Sequence, residues 1–440
     1  MLDANVIIIQ ELKKFIDTIA SRADLLEHFK KSPGYFTRDR KLPFERLVLM
    51  IAKLCKKTLS LELEDFFEEM GINTCCSLSA FTQQRAKLEA SFFYCWNMVL
   101  YYNFYLHYGL NVKRWKGYRI IAGDGSSVSL LNNKALHTYF GGQSNQRGSF
   151  VLGKIYYCYD VLNELMLFPR LSPYRCAEVE MAYETIAYLE SDMLMIYDRN
   201  FGNYKTVALH MWQEKEIKFI IRARESQNVI KEFIASGQSS AVIKLQSTAC
   251  ASRGLKRSGY RISNKTELPV RLVRVELNNS IEVLMTNLWE EEGHPDSEFK
   301  DLYFMRWGIE TRINFQKNNL QLESFSGLTP GAVLQDFYAT VFVTNLHSIL
   351  IKEAQQTVND TTKHRKHPMK INHNKSLGRV KRKLVLLFIS NDVESILKTL
   401  HNLFLRDIVP IRKGRNYPRR VKNKKTQGKY TTFSNFKPAF

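Results

Sequence analysis

Two short apolar runs that each stop at an aspartate set the tightest limit on the fold. Tyr118–Gly123 is apolar and β-branched, reads as a buried strand, and leads into Asp124-Gly125-Ser126-Ser127. Met193–Tyr197 reads as a second buried strand and leads into Asp198-Arg199-Asn200-Phe201-Gly202. A carboxylate at the end of a central strand, flanked by glycines, stands at the sheet edge where ligands collect. Each aspartate also has a plainer reading. Asp-Gly is a common hairpin signal, and Asp198 suits the N-cap of a helix over residues 203–214. Two other aspartates are weaker candidates: Asp160 lies within a hairpin (Gly153–Asp160, then Glu164–Phe168), and Asp192 precedes its strand.

The segments between and after these strands alternate. Ala177–Glu190 has an amphipathic helical pattern and Ile217–Arg222 reads as a further strand. Ala241–Leu245, Val270–Glu276 and Ile281–Leu288 are short β-like runs separated by polar turns, which predicts a β-rich insertion over about 225–290. The next feature is Tyr303, Arg306, Glu310 and Lys317. On one helix, offsets of −7, −4, 0 and +7 from Glu310 fall at roughly +20°, −40°, 0° and −20°. The spacing therefore predicts a narrow polar stripe bordered by Phe304 and Trp307 on one side and by Ile309 and Ile313 on the other. Salt-bridged helix faces are common, but apolar borders on both sides suit a polar site sunk into a cleft. A carboxylate flanked by fixed cations fits metal-dependent phosphodiester chemistry: the carboxylate holds Mg²⁺ and the cations hold DNA phosphates.

The spacing Y-x2-R-x3-E-x6-K at Tyr303, Arg306, Glu310 and Lys317 resembles the signature of DDE transposases of the insertion-sequence-4 family, bacterial insertion-sequence enzymes. The D-G-S context of Asp124 and the D-R-x-F context of Asp198 resemble the family's two aspartate blocks. The element order is similar to the RNase H-like fold, an α/β core in which a mixed sheet carries helices on its faces and carboxylates converge at one edge. The resemblance implies that Asp124, Asp198 and Glu310 are catalytic and hold two Mg²⁺ ions, with Mn²⁺ able to substitute, and that Asp124 bridges them. It implies that Arg306 and Lys317 clamp DNA phosphates and that Tyr303 bonds a phosphate or packs on a sugar; a helix aromatic packed on the core is the alternative for Tyr303. The activity implied is cut-and-paste transposition, through a DNA hairpin in relatives. The partners implied are double-stranded DNA, as terminal inverted repeats and target, and a second protomer forming a homodimer on paired ends. The location implied is the bacterial cytoplasm, at the nucleoid.

Charge agrees with a polyanionic partner: 64 Lys+Arg against 43 Asp+Glu give a formal net charge of +21. The excess is concentrated in the tail from Arg412 to Lys429, which contains no acid, and in a second cluster from Lys363 to Lys383. His364, His367 and His373 in that cluster read as a solvated basic loop. The seven cysteines lack C-x2-C spacing, and most read as small buried hydrophobes in a reducing cytosol. No uninterrupted apolar segment is long enough to span a membrane, no signal peptide is evident, and no P-loop or dinucleotide fingerprint implies a nucleotide cofactor.

Three regions follow. Residues 1–110 read as a helical N-terminal region, for which the resemblance implies DNA binding. Within it, Ser77-Leu-Ser-Ala-Phe81 and Arg85 resemble the family's N-terminal block, Ser79–Phe93 reads as one capped helix, and a helix-turn-helix over Leu61–Leu88 stands against a plain bundle. Residues 111–350 are the RNase H-like catalytic domain, closed by a buried helix at Phe337–Leu350. Residues 351–440 read as a basic C-terminal region with an amphipathic helix at Val393–Phe404, for which the resemblance implies DNA contact and protomer pairing. Other classes remain open: a nuclease that hydrolyses without joining, a transposase-derived DNA-binding protein, and a glycosidase, which the basic charge disfavours.

Overall fold

The computed structural model describes residues 2–38, 40–145, 148–277 and 280–412. The chain starts with helices α1 (Leu2–Ser21), α2 (Ala23–Glu27), α3 (Phe44–Ala52), α4 (Leu59–Glu69), α5 (Leu78–Arg85) and α6 (Ser91–Tyr108). The single helix expected over Ser79–Phe93 is divided. α5 starts from Ser77, whose side chain accepts from the Ala80 N–H, and α6 starts afresh at Ser91. Residues 70–77 separate α4 from α5, which is too long for the tight turn of a helix-turn-helix.

The sheet region follows: β1 (Arg119–Ser129), α7 (Lys134–Phe140), β2 (Gly142–Asn145), β3 (Gly148–Asp160), β4 (Leu165–Pro173), α8 (Glu178–Ile186), β5 (Met193–Tyr197), α9 (Tyr204–Met211) and β6 (Lys218–Arg222). β1 runs parallel to β5, and β5 parallel to β6, while β3 and β4 continue antiparallel from the other side of β1. The order β4-β3-β1-β5-β6 is the RNase H-like arrangement expected from the sequence. β5 is buried at every residue, as a central parallel strand covered on both faces must be.

The insertion contains α10 (Asn228–Ser236), β7 (Ser240–Gln246), α11 (Ala249–Arg257), β8 (Glu267–Leu277) and β9 (Ser280–Thr286). It is not a detached lobe. β9 pairs antiparallel with β6, so β9, β8 and β7 extend the central sheet. Two helices that the sequence pattern missed accompany these strands.

The chain then forms α12 (Phe299–Phe304), α13 (Trp307–Asn318), the long α14 (Pro330–Thr361), β10 (Met369–Ile371), α15 (His373–Ile389), α16 (Val393–Arg406) and β11 (Ile408–Pro410). α14 starts cleanly: Thr329 caps it by accepting from Ala332, and Pro330 occupies the first turn, where its missing N–H costs nothing. Its middle is the buried core helix expected, and Trp96 of α6 stacks on Phe342 at 3.8 Å between ring centroids. Helices α1 to α6 and α14 to α16 share one apolar core with the α8–α9 face of the sheet. The opposite face of β1 and β3 packs against α13 and α14.

Among the described residues no helix is long and apolar enough to cross a membrane. The cysteines are free, but only Cys55 and Cys158 are buried; Cys75, Cys76, Cys95 and Cys176 are half-buried and Cys250 is exposed. His373 is not in a solvated loop. It starts α15 and its ring lies 5.6 Å from that of buried His347. The basic cluster of 363–383 is partly neutralised: Lys375 and Arg379 pair with Asp407, and Lys381 with Glu62. The basic tail beyond Arg412 lies outside the described residues.

Candidate active site

Side chains alternate across a strand, so Ile120, Ala122 and Asp124 share one face of β1. That face is covered by α12 and α13: Ala122 packs with Ile309 and Ile313, and Ile120 with Leu302 and Tyr303. Asp198 follows Leu194 and Ile196 with the same parity and leaves β5 on the same side. β1 does not end at Gly123, as the sequence suggested, but runs on to Ser129 beside β3. What ends there is its pairing with β5, whose last partners are Gly123 and Tyr197. Asp124 is thus the first residue of β1 with an open side. Gly123 is required there because a Cβ would stand 2.3 Å from the Tyr197 ring.

The polar stripe is not on one continuous helix. α12 ends at Phe304 and α13 starts at Trp307, joined through Met305 and Arg306, where i→i+3 bonds tighten the backbone. The apolar borders also differ from expectation. Ile309 and Ile313 are buried, but Phe304 is 70% and Trp307 46% exposed, so one flank is core and the other faces outward. Tyr303 is buried in the core, with its hydroxyl pushed up to about 12 by burial.

Arg306 Nη1 donates to Glu310 Oε1 at 2.8 Å, and the guanidinium lies 5.6 Å from the Tyr303 ring and 5.0 Å from the Trp307 ring. Its Nε is buried without a hydrogen-bond partner among the described residues. Lys317 Nζ donates to Ser126 Oγ at 2.8 Å and to the Ser127 carbonyl at 2.5 Å, fixing the last turn of α13 to β1 just beyond Asp124. Asp124 accepts from the Gly125 N–H at 2.8 Å. Burial pushes its carboxyl up to about 7; the Gly125 bond and Arg306 oppose the rise, while Asp198 and Glu178 add to it. Asp198 caps the short turn Arg199–Phe201 through the Asn200 N–H, so its capping role is real. It also borders a cleft of about 400 Å³ lined by Arg199, Asn200 and Arg224.

The model of the family described as "Transposase DDE domain" matches residues 115–346. The chain belongs to this family. Its DDE domain runs from the residues before β1 to the middle of α14 and includes all six residues singled out in the sequence. The cryo-EM structure of the piggyBac transposase synaptic complex with hairpin DNA is similar at 12% identity, over 96% of this chain and 86% of that one, with a TM-score of 0.37. No curated protein matches the chain.

Within the DDE domain, Asp160 and Asp192 are engaged elsewhere. Asp160 is fully buried and accepts from Tyr105 and Asn163, while Asp192 pairs with Arg114 and Arg119. A carboxylate absent from the sequence candidates, Glu178 at the start of α8, lies against Gly125, where a Cβ would come within 2.6 Å of its Cγ. Nothing in the local sequence of Glu178 marks it; only the missing Cβ of Gly125, read in three dimensions, brings it to Asp124. The donor set suits a hard divalent cation, since Asp124 and Asp198 are carboxylates whose mutual repulsion a cation would relieve. Among the described residues, however, no three His, Cys, Asp or Glu side chains converge closely enough to hold an ion, and Glu310 is held by Arg306.

Proposed function

We propose that this DDE transposase carries out cut-and-paste transposition of an insertion sequence of the insertion-sequence-4 type, by divalent-cation-dependent cleavage and strand transfer. The observation that carries the reading is the placement of Asp124 and Asp198, each one residue past the last β1–β5 pair, on the face that α13 covers with Glu310. Asp124, Asp198 and Glu310 would hold Mg²⁺, or Mn²⁺ in its place. A pair of such ions activates water or a 3′-hydroxyl and stabilises the leaving oxygen.

The rest is done by the chain's own groups. Asp124 gives up its proton, which burial and Asp198 hold up to about 7, before it can act as an oxygen donor. Lys317, its ammonium fixed by Ser126 and Ser127, holds a phosphate of the element end without having to search for it. A phosphate that takes the Arg306 guanidinium competes with Glu310 for it and frees that carboxylate toward the two aspartates. Tyr303 supports the loop that carries Arg306, under whose guanidinium its ring lies. In this reading residues 1–110 bind the terminal inverted repeats, 111–350 form the catalytic domain, and 351–440 contact DNA and pair two protomers on the ends.

The test is Mg²⁺-dependent cleavage of linear DNA carrying the ends of the host element, with Glu310→Gln beside the parent. The expected result is cleavage at the ends that is lost in Glu310→Gln while DNA binding persists. Transfer of one metal-binding carboxylate to an amide costs at least about a hundredfold in rate by analogy with other pre-organised charge-stabilising groups. Cleavage that survives in Glu310→Gln sinks the site assignment. End cleavage without joining of the freed 3′ ends to target DNA makes the protein a nuclease instead.

A further inference from the structure

A second cation stands beside Lys317 and has no place in the site just described. Lys154 lies on β3 directly opposite Ser127, the residue whose carbonyl accepts from Lys317. Lys154 Nζ lies 3.2 Å from Glu178 Oε1 and 5.4 Å from the centre of the Tyr174 ring. Both members of the Lys154–Glu178 pair are partly open to solvent, at 22% and 20% side-chain exposure. Glu178 reaches this position only because Gly125, next to Asp124, carries no Cβ.

Two features are costly if the pair serves stability alone. Glu178 is brought near Asp124, a like charge. Lys154 is brought near Lys317, and burial together with the charge of Lys154 draws the Lys317 ammonium below its usual range, against the pull of Glu323 and Glu178. Two ammonium groups held beside the β1–β3 ladder, with Glu178 paired to Lys154 and with Glu323 and Glu178 both near Lys317, match a bound anion better than they match each other.

We propose that Lys154 and Lys317 together bind one phosphate of the DNA strand that enters the site, and that Glu178 is the carboxylate this phosphate displaces. The inference rests on the DNA-strand-transfer reading above and adds a specific contact to it. Glu178 parks Lys154 beside the β1–β3 ladder, and the Tyr174 ring supports the ammonium there. The incoming phosphate takes over the charge pairing of both lysines. Because the contact is to the backbone, it applies to any sequence.

The experiment is fluorescence anisotropy of a short labelled mixed-sequence duplex, titrated in chelator at several salt concentrations, with the parent, Lys154→Ala, Lys154→Gln, Lys154→Arg and Glu178→Gln. Loss of one phosphate contact is expected to weaken binding of Lys154→Ala about three- to tenfold at moderate salt and to reduce the logarithmic salt slope by about one. Lys154→Gln should repeat this effect if the alanine variant fails to fold, and Lys154→Arg should restore binding. Glu178→Gln should bind as tightly as the parent or more tightly, because it removes the competing anion. A purely structural salt bridge predicts the opposite: Glu178→Gln would weaken binding alongside Lys154→Ala, and that result overturns the proposal. So does an unchanged affinity and slope in both Lys154→Ala and Lys154→Gln. Failure of the parent itself to bind the duplex is a separate outcome; it removes the DNA reading and this contact with it.

Discussion

At the scale of single residues, the site is defined by what burial does to Asp124. Its carboxyl is raised to about 7, with burial the largest cause and Asp198 the like charge that adds most to it. The sign of the linkage follows. Between about 4 and about 7 the folded protein keeps a proton that the unfolded chain gives up, so this group's contribution falls as pH rises through that window. Its penalty is complete above about 7. Asp124→Asn removes the penalty and is expected to stabilise the metal-free protein by about 1–3 kcal/mol at mildly alkaline pH, and by little near pH 4. Urea midpoints of parent and variant at the two pH values measure this. An equal difference at both would show that packing, not charge, distinguishes them. The aspartates were legible in the sequence because each interrupts an apolar run at a glycine or arginine. Glu178 and Lys154 were not, because neither breaks a pattern: one opens an ordinary helix and the other sits in an ordinary hairpin.

At the scale of elements, periodicity located the polar stripe but not its break. Tyr303, Arg306, Glu310 and Lys317 satisfy helical spacing whether or not the backbone tightens at Met305, since both residues of the joint keep right-handed helical angles. The N-terminal block is the clearer lesson. Ser77, Phe81 and Arg85 resemble a family motif, yet Phe81 and Arg85 point into the core. Arg85 donates to Gln335 at 2.7 Å, to Ser326 at 2.6 Å, and to the Ala332 carbonyl and Asp336, each at 2.7 Å. Gln335 in turn donates to the carbonyls of Arg85 and Leu88. This cluster ties the end of α5 to the start of α14 and so holds the loop that follows α13. Arg85→Ala leaves Asp336 buried beside Ser326 without its cation, and breaking a buried pair on one side costs about 3–5 kcal/mol. The expected readout is a large fall in the urea midpoint. Arg85→Lys should recover only part of it, because an ammonium cannot satisfy the same planar fork of acceptors. A surface-like change under 1 kcal/mol would show that the cluster contributes little.

At the scale of the whole molecule, the order of elements was legible because the β1–β5–β6 core contains short apolar runs: Ile120–Ala122, Met193–Tyr197 and Phe219–Ile221. The joining of the insertion to the sheet edge was not, since β7 to β9 pair through backbone groups that any alternating strand offers. Two buried histidines now tie both halves of the molecule to one pH response. His210, on α9 behind β5, donates from Nδ1 to the Thr206 carbonyl at 2.8 Å, and its Nε2 lies 3.3 Å from the Tyr197 hydroxyl. Burial pushes it down to about 4. His347, inside α14, has Nε2 2.7 Å from Ser376 of α15 and is likewise held low, by burial and then by His373. The folded protein keeps both rings neutral while the unfolded chain protonates them below about 6.5, so stability is lost as pH falls from that value toward 4. For His210 alone the loss reaches about 3 kcal/mol at the bottom of the window. Asp124 and buried Asp160 act in the opposite direction over part of it, so the total slope is a sum and the variant difference is the sharper observable. His210→Gln keeps an amide donor for the Thr206 carbonyl and cannot titrate. It is expected to be less stable than the parent at neutral pH through imperfect packing, and to close that gap by about 3 kcal/mol as pH approaches 4. Parallel urea-midpoint curves for parent and variant across that range would mean that His210 is protonated in the folded state and that burial does not hold it neutral.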